Sequence, residues 1–151
     1  MHCGEGNEER IAEVLKVQFS ERAEISLFTY EKMKRYQGEW HVKTEFLFPG
    51  YVFLYAPQKL VLDEEEKRYL IAVEKPEDRQ LSELRKWGEH VPMSKGYIKE
   101  GVTFVTEGPL KGKETTICKI DRHKRLAKVK SPLEKYRERG LWAGLEIVSK
   151  N

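Results

Sequence analysis

The stretch that most constrains the fold runs from residue 108 to residue 130, where two extended patterns flank a strongly basic turn. Residues 108–112 predict a tight loop, because proline fixes its own φ and glycine accepts backbone angles that other residues resist. Residues 113–120 and 126–130 contain threonine, isoleucine, leucine and valine, which favour strands. The polar residues 121–125 between them therefore predict the tip of a hairpin.

This predicted hairpin carries a large excess of positive charge. Residues 119–130 contain six lysines or arginines and one acid, Asp121. Such an excess is the footprint of a surface that binds phosphate groups. The plain alternative is a solvated charged turn, since charged hairpin tips are common on protein surfaces.

Length and composition indicate a folded protein of one domain or two small ones. Its 151 residues are 39% hydrophobic and 11% aromatic, which is enough to bury a core. No apolar run approaches the roughly eighteen residues of a membrane span, and the N-terminus lacks the apolar core of a secretory signal, so we expect a cytoplasmic protein. Cys3 and Cys118 support neither a disulfide framework nor a zinc site, and we expect no metal and no cofactor.

The two ends of the chain differ in charge. Residues 1–98 carry 15 basic and 18 acidic side chains, whereas residues 99–151 carry 13 and 7. Together with the loop-forming composition Val-Pro-Met-Ser-Lys-Gly, this difference predicts an N-terminal domain at residues 1–90, a linker at 91–98 and a C-terminal domain at 99–151. We expect the two domains to recognise different partners.

The N-terminal part begins with a helical pattern followed by an extended one. A helix should run from Glu8 to Phe19, with Asn7 as its N-cap and apolar residues at helical spacing. Residues 23–30 then predict a strand.

Two further segments of the N-terminal part have distinctive compositions. Residues 31–45 are rich in charged and aromatic side chains and predict a hairpin arm that reverses at Gln37-Gly38. The apolar run 46–55 is typical of a buried strand, and Pro49-Gly50 predicts either a turn or a strand kink in it. Because alternate side chains face opposite sides of a sheet, residues near the kink are expected to form an apolar patch that the chain's own helices leave uncovered.

The remainder of the chain predicts a last sheet strand, a short helix and then a run of short strands. Residues 69–73 are the predicted strand, and the short helix begins near Pro76. Closely spaced strands in the C-terminal part predict a small closed or half-closed barrel, which would remove exposed sheet edges. These strands are expected at residues 101–106, 113–120, 126–130 and 142–148.

Three short stretches resemble a known family. Phe48-Pro49-Gly50-Tyr51-Val52-Phe53, followed by Gly108-Pro109-Leu110-x-Gly112 and preceded by the acidic helix start Gly6-Asn7-Glu8-Glu9, resembles the NusG family of transcription elongation factors. The resemblance covers nearly the whole chain. It implies an α+β fold in which an NGN domain, an antiparallel sheet flanked by helices, precedes a KOW domain, a five-stranded SH3-like barrel.

Within this family, residues 119–125 beside the loop 108–112 look most like the LoaP group, specialised antiterminators of particular long operons. The resemblance implies a monomer that binds the clamp helices of the RNA polymerase β′ subunit and a leader RNA hairpin, with DNA of the transcription bubble as a further partner. The positions that match the polymerase-binding surface are Leu47, Phe48, Pro49 and Tyr51. The residues expected to contact RNA are Lys111, Lys113, Lys119, Arg122, His123, Lys124, Arg125 and Lys128.

Two other functions stay open from the sequence. A general elongation factor of the same family would couple polymerase to a ribosomal protein or a termination factor, with Leu110 in an exposed turn as the contact. A ribosome-associated RNA-binding protein would have no polymerase role. An enzyme is not expected, because the acid-base pairs that can be drawn, such as Asp121 with His123, lack a nucleophile, a phosphate-binding loop or a ligand cluster.

Overall fold

The structure is a computed structural model that describes residues 3–56, 64, 86–131 and 140–151. Over these residues the protein is a small α+β protein with one complete α-helix and several antiparallel and mixed sheets. No helix in this part of the chain is long and apolar enough to cross a membrane. In chain order the elements are helix α1 (Glu8–Phe19) and strands β1 (Glu24–Ser26), β2 (Thr29–Tyr36), β3 (Glu39–Phe46), β4 (Phe53–Tyr55), β5 (His90–Val91), β6 (Ser94–Lys99), β7 (Val102–Glu107), β8 (Ile117–Asp121), β9 (Leu126–Val129) and β10 (Leu141–Lys150).

The chain divides into two compact units by its internal contacts. The first comprises Met1–Leu27 and Phe48–Lys75, and the second comprises Phe28–Leu47 and Pro76–Asn151. This division assigns the β2–β3 hairpin to the same unit as the C-terminal strands. The domain limits predicted from the sequence concern independent folding and stay a prediction.

The first unit is built on helix α1, whose predicted limits are confirmed. Its apolar face buries Ile11, Leu15 and Phe19 in a core that also contains Val52 and Cys3. Strands β1 and β4 pair antiparallel and contribute partly buried residues to this core. The predicted strand at 69–73 and the predicted helix from Pro76 lie outside the described residues.

The start of helix α1 is held by Glu8. Asn7 occupies the predicted N-cap position but makes no side-chain cap bond, and its amide donates to the Cys3 carbonyl instead. Glu8 is 3% exposed, and its carboxylate accepts the N–H of Gly6 at 3.0 Å and the N–H of Gly50 at 2.7 Å. Two of the stretches that carry the family resemblance therefore contact each other, which no local sequence pattern predicts.

Two predicted strands of the N-terminal part are only partly correct. The strand predicted at residues 23–30 is interrupted at residues 27–28 and forms two separate strands, β1 and β2. In the apolar run 46–55, residues beyond the turn at Pro49-Gly50 are extended only in β4. Gly50 has φ 85°, and the Tyr51 N–H donates to the Phe48 carbonyl at 3.1 Å, so of the two predicted alternatives the turn is the one that forms.

The second unit contains the predicted hairpin arm, which is confirmed. Strands β2 and β3 pair antiparallel over their whole length, and β5 adds to β2 in parallel. Gln37 and Gly38 both have positive φ, 51° and 79°, as a two-residue hairpin turn of the primed type requires.

The second unit also contains a five-stranded sheet in the order β7-β6-β10-β9-β8. Its buried face carries Val105, Val129, Leu141, Ala143 and Leu145. Strand β10 joins two antiparallel hairpins, because it pairs with β9 antiparallel and with β6 in parallel.

This sheet is open, so the prediction of a closed or half-closed barrel is wrong. Closure would need β7 to pair with β8, but the chain between them forms the loop 108–112 and a 3-10 turn at Glu114–Thr116. The Thr116 hydroxyl donates to the Lys113 carbonyl at 2.6 Å and holds that turn. The predicted strand 113–120 is therefore extended only from Ile117 onward.

Residues 91–98, predicted as a linker, carry the end of β5 and most of β6. Gly96 contributed to the linker prediction, yet it lies within β6. A Cβ at this position would collide with the Phe104 carbonyl oxygen on β7, so glycine permits the close approach of the two strands.

Candidate nucleic-acid interface

The predicted basic hairpin is present as β8 and β9, joined by a turn at residues 122–125. The Asp121 carboxylate accepts the Lys124 N–H at 3.0 Å, which closes the turn. Arg125 has φ 55°, and its carbonyl accepts the Leu145 N–H at 2.9 Å. Arg122, His123 and Lys124 are exposed at this tip, and a shallow surface depression lies beside them.

Arg125 differs from its neighbours because its guanidinium already has partners within the protein. Its central carbon lies 4.1 Å from the ring centroid of Trp40 on β3, and one of its nitrogens lies 3.7 Å from a carboxylate oxygen of Glu146. The side chain is half-buried. The structure therefore gives Arg125 a role in attaching the β2–β3 hairpin to the sheet, and its predicted RNA contact stays a prediction.

Lys119 and Lys128 lie on the outward face of the hairpin, one on each strand. They are direct cross-strand partners. Two ammonium groups opposite each other on an antiparallel pair repel and destabilise the pairing. Among the described residues, no carboxylate forms an ion pair with either lysine.

Lys111 and Lys113 lie on the loop that precedes the hairpin, as predicted, but in different environments. Lys111 is exposed. The Lys113 ammonium lies 5.1 Å from the ring centroid of Trp87, and burial together with the nearby charge of Lys86 lowers the pKa of Lys113. The roles of Trp87 and Trp40 could not be predicted from the sequence, because a contact between a cation and an aromatic face distant in sequence leaves no local pattern.

Leu110 is not exposed, and the expectation of an exposed contact residue in this turn is wrong. Its side chain is 1% exposed, and its N–H donates to the hydroxyl of the buried Ser94 at 3.1 Å. The loop folds back onto β6, so that Leu110 belongs to the core. A partner cannot contact this side chain without unfolding the loop.

The four residues predicted to bind polymerase are divided between buried and accessible positions. Leu47 and Phe48 are 3% and 2% exposed, and the Phe48 ring packs 5.2 Å from that of Phe53. Pro49 is exposed and Tyr51 is half-buried. The expectation that Leu47 and Phe48 belong to an uncovered apolar patch is therefore wrong for these two side chains.

Within the described ranges, no group of three or more His, Cys, Asp or Glu side chains is arranged to hold a metal ion. The arrangement that stands out chemically is thus the basic hairpin with its exposed tip. Comparison with known proteins adds no identification: no protein-family model matches the chain, and no curated protein matches it.

Proposed function

We propose that this protein is a transcription antitermination factor of the NusG type that recognises a leader RNA through the basic hairpin. In this proposal residues 1–90 act as an NGN domain on RNA polymerase, and residues 99–151 act as a KOW domain on RNA. The polymerase part rests on the sequence resemblance. The RNA part also has support from the geometry of β8 and β9.

The observation that carries the proposal is the exposed tip, where Arg122, His123 and Lys124 project beside one acid. That acid, Asp121, accepts a hydrogen bond from the Lys124 backbone N–H, so its carboxylate is part of the turn. Paired RNA offers mainly shape, phosphates and hydroxyls to a protein. Basic side chains on a narrow hairpin suit that target, since they can reach phosphates without reading base edges.

The mechanism follows from binding two partners at once. A domain bound across the polymerase clamp opposes clamp opening. Paused states that need an open clamp then become less populated, because the domain binds the closed clamp more tightly than the open one. Pro49 and Tyr51 are the accessible members of the predicted polymerase surface. RNA binding would restrict this effect to operons whose leader folds correctly.

The test is a comparison of two neighbouring substitutions on RNA binding at several salt concentrations. Lys124→Ala should weaken binding of a candidate leader hairpin and make the salt dependence shallower by about one unit in log K against log salt, as loss of one phosphate contact requires. Arg125→Ala should lower the free energy of unfolding by about 1 kcal/mol through loss of the Trp40 contact. A scrambled RNA of equal length is the control, and an unchanged slope for Lys124→Ala would remove the tip from the interface.

A second candidate function is RNA binding on the ribosome without a polymerase role, and the burial of Leu47 and Phe48 favours it. The two functions separate in a polymerase-binding assay. Tyr51→Arg should abolish binding to polymerase and read-through of a terminator if the protein is an antiterminator. If this variant binds polymerase as the original protein does, the ribosomal function becomes the better proposal.

A further inference from the structure

Three outward-facing side chains form a row across the basic end of the five-stranded sheet. Lys119 on β8 is the cross-strand partner of Lys128 on β9, and Lys128 is the partner of Trp142 on β10. Directly opposed residues of antiparallel strands project from the same face, with their Cβ atoms about 5 Å apart. The three side chains therefore lie side by side.

Lys119 and Trp142 are exposed and Lys128 is half-buried, whereas the residues next to Lys128 and Trp142 along their own strands are buried. Trp142 is 37% exposed, whereas its neighbours Leu141 and Ala143 are 2% and 1% exposed. The buried side chains on both sides of Trp142 fix strand β10 in the core. The exposed part of the ring is therefore held in a fixed position. Such a ring offers a flat apolar surface without a large cost in conformational entropy.

Lys128 is directed along this row by its surroundings. Its ammonium lies 6.0 Å from the ring centroid of Trp142. A Cβ at Gly140 would lie 2.9 Å from the Lys128 Cε atom, so the absence of a side chain there leaves room for the lysine stem. The row combines two ammonium groups with one aromatic face.

We propose that this row binds unpaired nucleotides of RNA, with one base stacked on Trp142 and neighbouring phosphates on Lys119 and Lys128. A single strand carries phosphates and accessible base faces at short intervals, which is the chemistry that an aromatic ring flanked by cations recognises. Bases inside an RNA duplex are already stacked and cannot reach such a ring. The inference rests on the proposed RNA-binding function and adds a second, single-stranded segment to the hairpin RNA expected at the tip.

The experiment compares two RNAs, a blunt stem and the same stem with an unpaired oligoadenosine extension. Trp142→Leu should weaken binding of the extended RNA about tenfold, because one stacked base is lost, and leave binding of the blunt stem unchanged. Trp142→Phe should retain most of the affinity. Phe104→Leu is the matched control, since Phe104 is also an aromatic residue of this sheet that is 41% exposed but lies on β7, away from the row.

A direct readout uses a variant in which Trp40 and Trp87 are replaced by Phe, so that Trp142 is the one remaining tryptophan of the chain. Titration with the extended RNA should quench its fluorescence, and titration with the blunt stem should not. The inference would be overturned if Trp142→Leu weakened the binding of both RNAs equally, or if it weakened the binding of neither. The absence of fluorescence quenching by the extended RNA would also overturn it. Tighter binding of a DNA extension than of the RNA extension would overturn the assignment to RNA.

The outcomes also separate this inference from the proposed function. If the extended RNA quenches the Trp142 fluorescence but the protein has no effect on read-through of a terminator, the antitermination function is contradicted and RNA binding by the row is supported. If the protein promotes read-through of a terminator but the extended RNA does not quench the fluorescence, RNA binding by the row is contradicted and the antitermination function is supported.

Discussion

Leu110 and Ser94 lock the loop 108–112 onto strand β6. The backbone of the loop approaches β6 so closely that a Cβ at Gly108 would lie 2.6 Å from the Ser94 Cα, and Gly108 has φ 95°. Glycine is required here both for its conformation and for its size. The motif Gly-Pro-Leu-x-Gly in this protein therefore packs the loop against the sheet, and its leucine is a core residue.

At this scale we predict that Leu110→Ala lowers the free energy of unfolding by about 2–5 kcal/mol, because the substitution opens a cavity in a closed core. Lys111→Ala, one residue further and exposed, should change it by less than about 0.5 kcal/mol. Urea denaturation of the two variants measures the difference. Leu110→Ala with the stability of the original protein would mean that the loop does not pack in solution as described.

At the scale of elements, the β2–β3 hairpin combines opposed lysines with one shared carboxylate. Lys32 and Lys43 are cross-strand partners, and both ammonium groups lie within ion-pair distance of Glu45, at 3.8 and 3.3 Å. Glu45 is in turn the cross-strand partner of Tyr30. Burial and the charge of Glu45 raise the pKa of Tyr30 to about 12.

We predict from this pKa that the second unit, which contains the β2–β3 hairpin, becomes less stable at alkaline pH. The unfolded chain loses the tyrosine proton near pH 10, whereas the folded protein retains it, so unfolding is favoured between about pH 10 and pH 12. Over that window the free energy of unfolding should fall by about 1–2 kcal/mol more for the original protein than for Tyr30→Phe. Urea midpoints at pH 9 and pH 11.5 test this, and parallel losses in both proteins would contradict it.

The elements that the sequence predicted correctly are those specified by neighbouring residues. Helix α1 has acidic residues in its first turn and apolar residues at helical spacing, and the turn of the β2–β3 hairpin is specified by Gln37-Gly38. Strand β6 was missed because Gly96 is explained only by the adjacent β7 backbone. The same limit applies to the site: charge spacing predicted the exposed tip, but the Arg125 contact with Trp40 depends on the packing of distant segments.

In the molecule taken as a whole, each of the two compact units contains one of the chain's two cysteines. Cys3 lies in the core of the first unit, where it is 3% exposed and its sulfur lies 3.4 Å from the Gly50 carbonyl oxygen. Burial and the charge of Glu8 raise the pKa of its thiol. Cys118, on β8 in the second unit, is exposed.

We predict that the two thiols react with an alkylating reagent at rates that differ by about a hundredfold, because Cys3 must wait for local opening while Cys118 is accessible. Mass spectrometry of the peptides measures both rates. In a Cys118→Ser variant, a low concentration of urea should accelerate alkylation of Cys3. Equal native rates would show that the first unit is open for much of the time.

The buried thiol has a practical consequence for any study of RNA or polymerase binding. Alkylation of Cys3 reports the opening of the first unit without a probe being added to either proposed binding surface. A partner that binds and stabilises the first unit should slow alkylation of Cys3, and one that contacts the β8–β9 hairpin should protect Cys118. The pair of cysteines therefore distinguishes, in one sample, which half of the molecule a partner has engaged.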